Sequence, residues 1–328
     1  MRPYQYRCND YSLLTPALKR WVISPLIRFV PWVIPANVIT LISNLFVYLS
    51  LYLVLNPELL GSITPLCIAT CYVIYIIGDH LDGMQAKRTG TGSALGEFCD
   101  HYLDAFNNGI IVFTMFTIFG ISHSAIIAGV IVISYLAHMA VFYEQLKTGW
   151  LTFERIGSLE GVLLSALLIG LSVFDPFYTL MTHRLVGEFS VAEAIIVSSA
   201  FGAFVTFIQT CRRTPEVKSG YWLFSFLIIL VGTLGTVVLN NFQLFIILTL
   251  YASFYIGRLM HGHLIDGIES HADWIVPIFL LLDYGFGFSN AEYVFWLLTV
   301  YLTIRILVLI VKTFSTLGVY WVWQNARI

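Results

Sequence analysis

The chain has 328 residues, of which 58% are hydrophobic and 11% charged, with a formal net charge of −2. Soluble domains run at about 45–50% apolar and about 25% charged, so this surplus of apolar surface calls for lipid as its solvent. No basic patch or stripe marks a nucleic-acid binder, and the five scattered cysteines (Cys8, Cys67, Cys71, Cys99 and Cys211) show neither a disulfide framework nor zinc spacing.

From the N-terminus, no cleavable signal peptide is expected. The first long apolar run begins near Asn37, and the stretch before it holds Asp10, several prolines and no small-residue cleavage pattern. No lipidation motif or C-terminal retrieval tetrapeptide is expected either. Residues 12–35 mix Leu13, Leu14, Leu18, Trp21, Val22, Ile27 and Phe29 with Lys19, Arg20 and Arg28, interrupted by Pro25, Pro31 and Pro35. This pattern predicts an amphipathic helix in the membrane interface, apolar side in lipid and basic side toward headgroups.

A bilayer core takes roughly 20 apolar residues per helix. That ruler predicts ten transmembrane helices, at 37–56, 62–82, 97–120, 124–146, 158–175, 189–210, 221–239, 241–262, 273–289 and 292–316. Each must be helical, because lipid offers no partner to open backbone groups. Ten spans put both termini on one side. On that side fall Arg2, Arg7, Lys19, Arg20, Arg28, Lys87, Arg88, Lys147, Arg155, Arg212, Arg213, Lys218 and Arg327, and opposite them only Arg184. The positive-inside rule makes the basic side cytoplasmic. The expected fold is therefore all-α and polytopic: an N-terminal interfacial segment, residues 1–36, and one membrane domain, residues 37–328.

Charges inside a membrane are costly, so a cluster of them is a functional hypothesis. The densest cluster crosses from the second span to the third, with Asp79, Asp82, Gly83, Lys87 and Arg88, then Gly96, Asp100, His101 and Asp104. Asp79 and Asp82 lie one helical turn apart, as do Asp100 and Asp104, and such pairs share a face. A short connection makes the two helices antiparallel neighbours, so four carboxylates can converge at one membrane boundary. Left uncompensated they would repel one another. Oxygen-only ligands suit Mg²⁺, Mn²⁺ or Ca²⁺ rather than zinc, and two such ions can clamp a phosphate or pyrophosphate. Gly83 and Gly96 leave room for a ligand or a second helix, and Lys87 and Arg88 can neutralise phosphate oxygens. Intramembrane aspartates also serve as proton relays or ion pathways, which leaves a transporter or structural membrane protein as the reading from another class.

Across the 26 positions from Asp79 to Asp104 the spacing resembles the signature of the CDP-alcohol phosphotransferase family. Lys87 stands where that signature has Arg, which keeps the charge and loses the forked donor. The stretches Asp82-Gly83-Met84-Gln85-Ala86-Lys87-Arg88-Thr89 and Leu95-Gly96-Glu97-Phe98-Cys99-Asp100-His101 are most similar to the choline and ethanolamine phosphotransferase branch. Pro35-Ala36-Asn37-Val38-Ile39-Thr40, with Ala36 as an insertion, and Gly157-Ser158-Leu159-Glu160-Gly161 extend the similarity over roughly the first half of the chain.

The resemblance implies attack of a lipid hydroxyl, such as that of diacylglycerol, on the β-phosphate of CDP-choline or CDP-ethanolamine, with CMP leaving. It implies two Mg²⁺ or Mn²⁺ ions on Asp79, Asp82, Asp100 and Asp104, nucleotide contact by Asn37, and a homodimer. His101 is the expected base, as a neutral imidazole accepts a proton near neutral pH, with Asp104 second. A phosphatidyltransferase acting on CDP-diacylglycerol is the alternative within the family. Weaker candidates are Glu160 with Tyr143, and Glu144, for a cationic headgroup. His261, His263, Asp266 and His271 read as a polar loop rim, and Arg305 and Asp283, inside predicted spans, must face protein.

Overall fold

The apolar runs form helices in the computed structural model, which describes residues 6–287 and 291–318. In chain order they are α1 (Ala36–Leu55), α2 (Thr64–Thr89), α3 (Ala94–Ile118), α4 (Ser124–Thr148), α5 (Ser158–Leu171), α6 (Asp175–Thr182), α7 (Val191–Arg213), α8 (Ser219–Val238), α9 (Asn241–His261), α10 (Ile275–Phe286) and α11 (Ala291–Leu317). Extended structure among the described residues is confined to short two-stranded pairings. The protein is an all-α polytopic membrane protein. Many large apolar side chains point outward, as on α11, where Val300, Ile304, Leu307, Val308 and Val311 are all more than half exposed. Arg2, Arg327 and residues 288–289 of the ninth expected span lie outside the described residues.

The expected count of ten spans needs correction. By length and apolar composition seven helices can cross a membrane, or eight if α5 and α6, bent by 117° at their junction, make one span. A helix falls on each of the ten segments, yet two do not meet the test. Helix α10 has 12 residues, too short to cross alone. Helix α3 has the length but carries Glu97, Asp100, His101, Asp104, Asn107 and Asn108, and these polar residues lower its apolarity. Helix α2 extends past the expected end at residue 82 to Thr89, with Lys87 and Arg88 in its last turn, where basic groups suit the helix dipole.

By their contacts the helices fall into two compact units, one holding α1–α3, α5 and α6 and the other holding α4 and almost all of α7–α11. In the first, α1 packs along α2 and α3, and α5 packs on α2. Gly78 lets α1 come close to α2: a Cβ there would lie 2.3 Å from Ser43 Cβ. Between α2 and α3 the turn is tight. Gly90 ends α2 in the left-handed region at φ 66°, where glycine carries no steric cost, and the Ser93 hydroxyl accepts from Gly96 N at 3.0 Å to start α3. This short link turns the chain so that both acidic helices pack on α1, and the close antiparallel pairing of α2 with α3 expected from the short connection is replaced by that shared partner.

The segment expected at the interface is a helical run over 15–29 that ends where Val30 becomes extended. Trp21, Phe29 and Trp32 stand out from it, 70%, 82% and 66% exposed. It is fastened to α2 by side chains from the last turns of that helix. Arg88 donates to Ile27 O at 2.6 Å and Val30 O at 2.7 Å and lies over the Trp32 ring. Gln85, fully buried, donates to Pro31 O and Ile34 O.

Candidate active site

Three polar stripes, one on each of α1, α2 and α3, meet in the first unit. On α1 the stripe is Asn37, Thr40 and Asn44; on α2 it is Tyr75, Asp79 and Asp82; on α3 it is Asp100, His101, Asp104 and Asn107. Spacings of three and four keep each set on one face of its helix. Asp79, Asp100 and Asp104 each offer a carboxylate oxygen, and these atoms all lie within 4.8 Å of one another. No other group of three or more His, Cys, Asp or Glu side chains among the described residues comes together in this way.

The fourth expected ligand, Asp82, is buried and turned differently. Its Oδ2 accepts the Thr40 hydroxyl, while the charges of Asp100 and Asp79 still act on it. Asp104 is held from two sides: Oδ1 accepts from Tyr75 OH at 2.5 Å and from Asn107 Nδ2 at 3.4 Å, and Asn107 also donates to Asn44 Oδ1. Asp100 Oδ1 is buried and has no hydrogen-bond donor among the described residues. A buried carboxylate oxygen without a donor is costly, and a hard cation satisfies it. The residues therefore fit divalent metal: an all-oxygen set, three carboxylates from two helices, and one orphaned oxygen facing no Lys or Arg.

His101, 8% exposed, borders this cluster. Its Nδ1 lies 3.8 Å from Asp100 Oδ2 and 3.9 Å from Asp104 Oδ2, and its Nε2 lies 3.4 Å from Tyr6 OH. His80 Nδ1 sits 3.3 Å from Asp79 Oδ2 and 3.1 Å from Ile76 O. Asn37 lies against the first turn of α3, its Oδ1 3.1 Å from where a Cβ on Gly96 would be, so a side chain at 96 would crowd it. Gly83 faces open space. Lys87 is exposed and has no polar partner among the described residues, so its ammonium is available to a ligand. Arg88 is not available in the same way, because its guanidinium grips the interfacial segment and Gln85 Oε1.

The remaining candidates are engaged in structure. Glu160 Oε1 accepts from Ser12 Oγ at 2.6 Å and Leu14 N, and Oε2 accepts from Gly157 N. Glu144 is clamped by Arg213 through two nitrogens. Tyr143 OH accepts from Lys218 N. His261 Nδ1 pairs with Thr313 Oγ1, and Arg305 finds Asp273 Oδ2 and Tyr301 OH. Tyr75, Thr40, Asn44, Asn107 and Tyr6 went unassigned in the sequence reading. The first four carried a signal, namely polar residues at helical spacing from Asp79, Asn37 and Asp104 inside apolar helices.

The family model for CDP-alcohol phosphatidyltransferases matches residues 33–198, which contain all four aspartates and His101. A CDP-diacylglycerol–serine O-phosphatidyltransferase of Encephalitozoon cuniculi is 30% identical over 171 residues, 49% of this chain and 44% of that one. Choline/ethanolaminephosphotransferase 1 of Saccharomyces cerevisiae is 28% identical over 185 residues, 50% of this chain and 44% of that one. An uncharacterized family member of Dictyostelium discoideum is 22% identical over 253 residues, 74% of this chain and 57% of that one. The chain spans about half the length of the curated relatives it matches. With its matched segment holding the whole carboxylate cluster, the chain belongs to the CDP-alcohol phosphatidyltransferase family.

Proposed function

We propose that this protein transfers phosphocholine or phosphoethanolamine from its CDP ester to a lipid hydroxyl such as that of diacylglycerol, releasing CMP. The observation that carries the reading is the convergence of Asp79, Asp100 and Asp104 within 4.8 Å beside a buried imidazole. The lipid hydroxyl oxygen bonds to the β-phosphorus, the bond from that phosphorus to the CMP oxygen breaks, and the hydroxyl proton goes to His101. Mg²⁺ or Mn²⁺ on Asp79, Asp100 and Asp104, with Asp82 as a further carboxylate, supplies positive charge for the pyrophosphate oxygens.

Around it the chain's own groups orient and neutralise. Lys87 reaches out from the end of α2 toward phosphate, and Asn37, beside the glycine at 96, holds the nucleotide. Tyr75 and Asn107 fix the Asp104 carboxylate from Oδ1. Lys87 and Arg88, in the last turn of α2 beside the acidic turns, favour a cytoplasmic site, and a homodimer follows from the resemblance alone.

A second reading has a specific observation behind it: similarity to the Encephalitozoon protein named for CDP-diacylglycerol and serine. Purified protein supplied with diacylglycerol and either CDP-choline or CDP-ethanolamine, or with CDP-diacylglycerol and serine, with and without Mg²⁺, decides between them. Metal-dependent CMP release from one of the first two donors is expected. Release from CDP-diacylglycerol alone moves the assignment to the second reading. No release from any donor removes both.

A further inference from the structure

We infer that a groove on the α1–α2 pair, away from the carboxylates, binds one membrane phospholipid, with an acyl chain lying in the groove and the phosphate meeting Arg28. The groove holds about 550 Å³ between the segment at 29–35, the first half of α1 and the second half of α2. That volume falls within the roughly 300–1,000 Å³ typical of ligand clefts. Its walls are apolar, with Phe29, Ile34, Ile39, Ile42, Ile74 and Leu81 among them, and Ser43 and Gly78 line it where the two helices touch. Phe29, Val33 and Ile42 are also exposed, so the groove opens outward. Both helices are long and apolar enough to cross a membrane, which makes lipid the surroundings it opens to.

Helical register separates this groove from the acidic cluster. On α2, Ile74, Ile77 and Leu81 share one face, and Tyr75, Asp79 and Asp82 share another. On α1, Val38 and Ile42 stand on a different face from Asn37, Thr40 and Asn44 by the same rule. The groove is therefore not where phosphate would react. Its roof is fastened: Gln85 donates to Pro31 O and Ile34 O, and Arg88 to Ile27 O and Val30 O. An apolar groove left empty would forfeit dispersion contacts along every wall, and in a bilayer the filler at hand is a lipid chain. Charge at the rim says which lipid. No charged side chain lines the groove. Arg28, next in the chain to Phe29, is exposed, and its side chain has no hydrogen bond or ion pair among the described residues. An apolar slot for a chain with an unclaimed guanidinium at its edge fits a lipid phosphate, which takes that forked donor through two parallel bonds.

The test is native mass spectrometry of the purified full chain after detergent exchange, with dioleoyl phosphatidylglycerol added, or a glycolipid with the same chains and no phosphate. Expected is one phosphatidylglycerol held per wild-type chain, and a higher thermal midpoint in its presence by mass action. Ile42→Trp and Ile74→Trp, which fill the groove from α1 and from α2, should abolish retention. Leu45→Trp, on an exposed part of α1 outside the groove, should keep it. Arg28→Gln should weaken binding of phosphatidylglycerol about three- to tenfold and leave that of the glycolipid unchanged, the scale of a partly exposed charged contact. Retention that ignores both groove-filling variants, or glycolipid held as tightly as phosphatidylglycerol, overturns the inference. So does diacylglycerol held in place of phospholipid, or a dimer that I42W breaks, which would put a second copy in the groove. If the tryptophan variants show no thermal transition, R28Q decides alone. CMP formation is no part of the readout, so failure of the proposed reaction leaves this result standing, and the reverse.

Discussion

The four clustered aspartates of the first unit meet no Lys or Arg among the described residues, whereas Glu144, Glu269 and Asp273 of the second are each paired with one. Besides one another, Asp79, Asp82, Asp100 and Asp104 have His, Thr, Tyr and Asn side chains as polar neighbours among the described residues. In the second unit Glu144 pairs with Arg213 at 2.5 Å, Glu269 with Lys147 at 2.8 Å and Asp273 with Arg305 at 3.3 Å. The clustered aspartates stand on apolar helices, as Glu144 does, and an unmatched charge there is costly. Acids that bring their own cations are structural. Acids that converge without one have a place for a cation from outside.

Replacing acids in each unit should break or sharpen that contrast. The largest effect is expected at Asp100. Asp100→Asn should lower metal-dependent CMP formation on the order of 10³-fold, beyond the 10–100-fold typical of an outer partner. It should also leave the metal-free protein as stable as wild type or more so, because it removes a repelling charge. Added Mg²⁺ should raise the thermal midpoint of wild type and not of this variant, by simple mass action. A stabilising response to Mg²⁺ that survives in D100N would sink the metal assignment.

Glu144→Gln tests the other unit and should do the reverse. Leaving Arg213 without its carboxylate should cost about 2 kcal/mol, the low side for a buried pair because Arg213 is 38% exposed. Activity per folded molecule should be unchanged, read by chemical denaturation alongside turnover. Tyr75→Phe comes next. It takes one hydrogen bond from Asp104 Oδ1, and a roughly tenfold fall in kcat is expected with little change in thermal midpoint. The smallest effect is expected at Lys87→Arg. It brings in the forked donor that the resembled signature carries at this place, and should lower KM for the CDP-alcohol about two- to threefold. A rise in KM instead would mean that Lys87 meets no phosphate.

Much of the helix plan is legible by eye, and the exceptions are instructive. A hydropathy ruler finds each apolar run because burial in lipid is a local property of composition. It overcounts where position and shape matter: α3 gave up apolarity to six polar residues, α10 is short, and α5 turns by 117° into α6 just before Asp175-Pro176. It also stops short on α2, since Lys87 and Arg88 end an apolar run but continue a helix. The acidic pairs were visible through spacing alone. Thr40, Asn44, Tyr75 and Asn107 were visible in principle, as polar side chains in helical register with them.

By itself the sequence determined the membrane environment, the places of the helices and the two acidic turns, because each follows from composition or from three- and four-residue spacing along one helix. Only the tertiary structure decided how those groups are used. It joined Asp79 to Asp100 and Asp104 while turning an oxygen of Asp82 to Thr40. It gave Arg88 to the interfacial segment rather than to a ligand, and it brought Tyr6 to His101. The physical reason is the same in each case. A side chain's partner across a helix interface depends on how whole helices pack and rotate, and no residue's near neighbours in the chain carry that information.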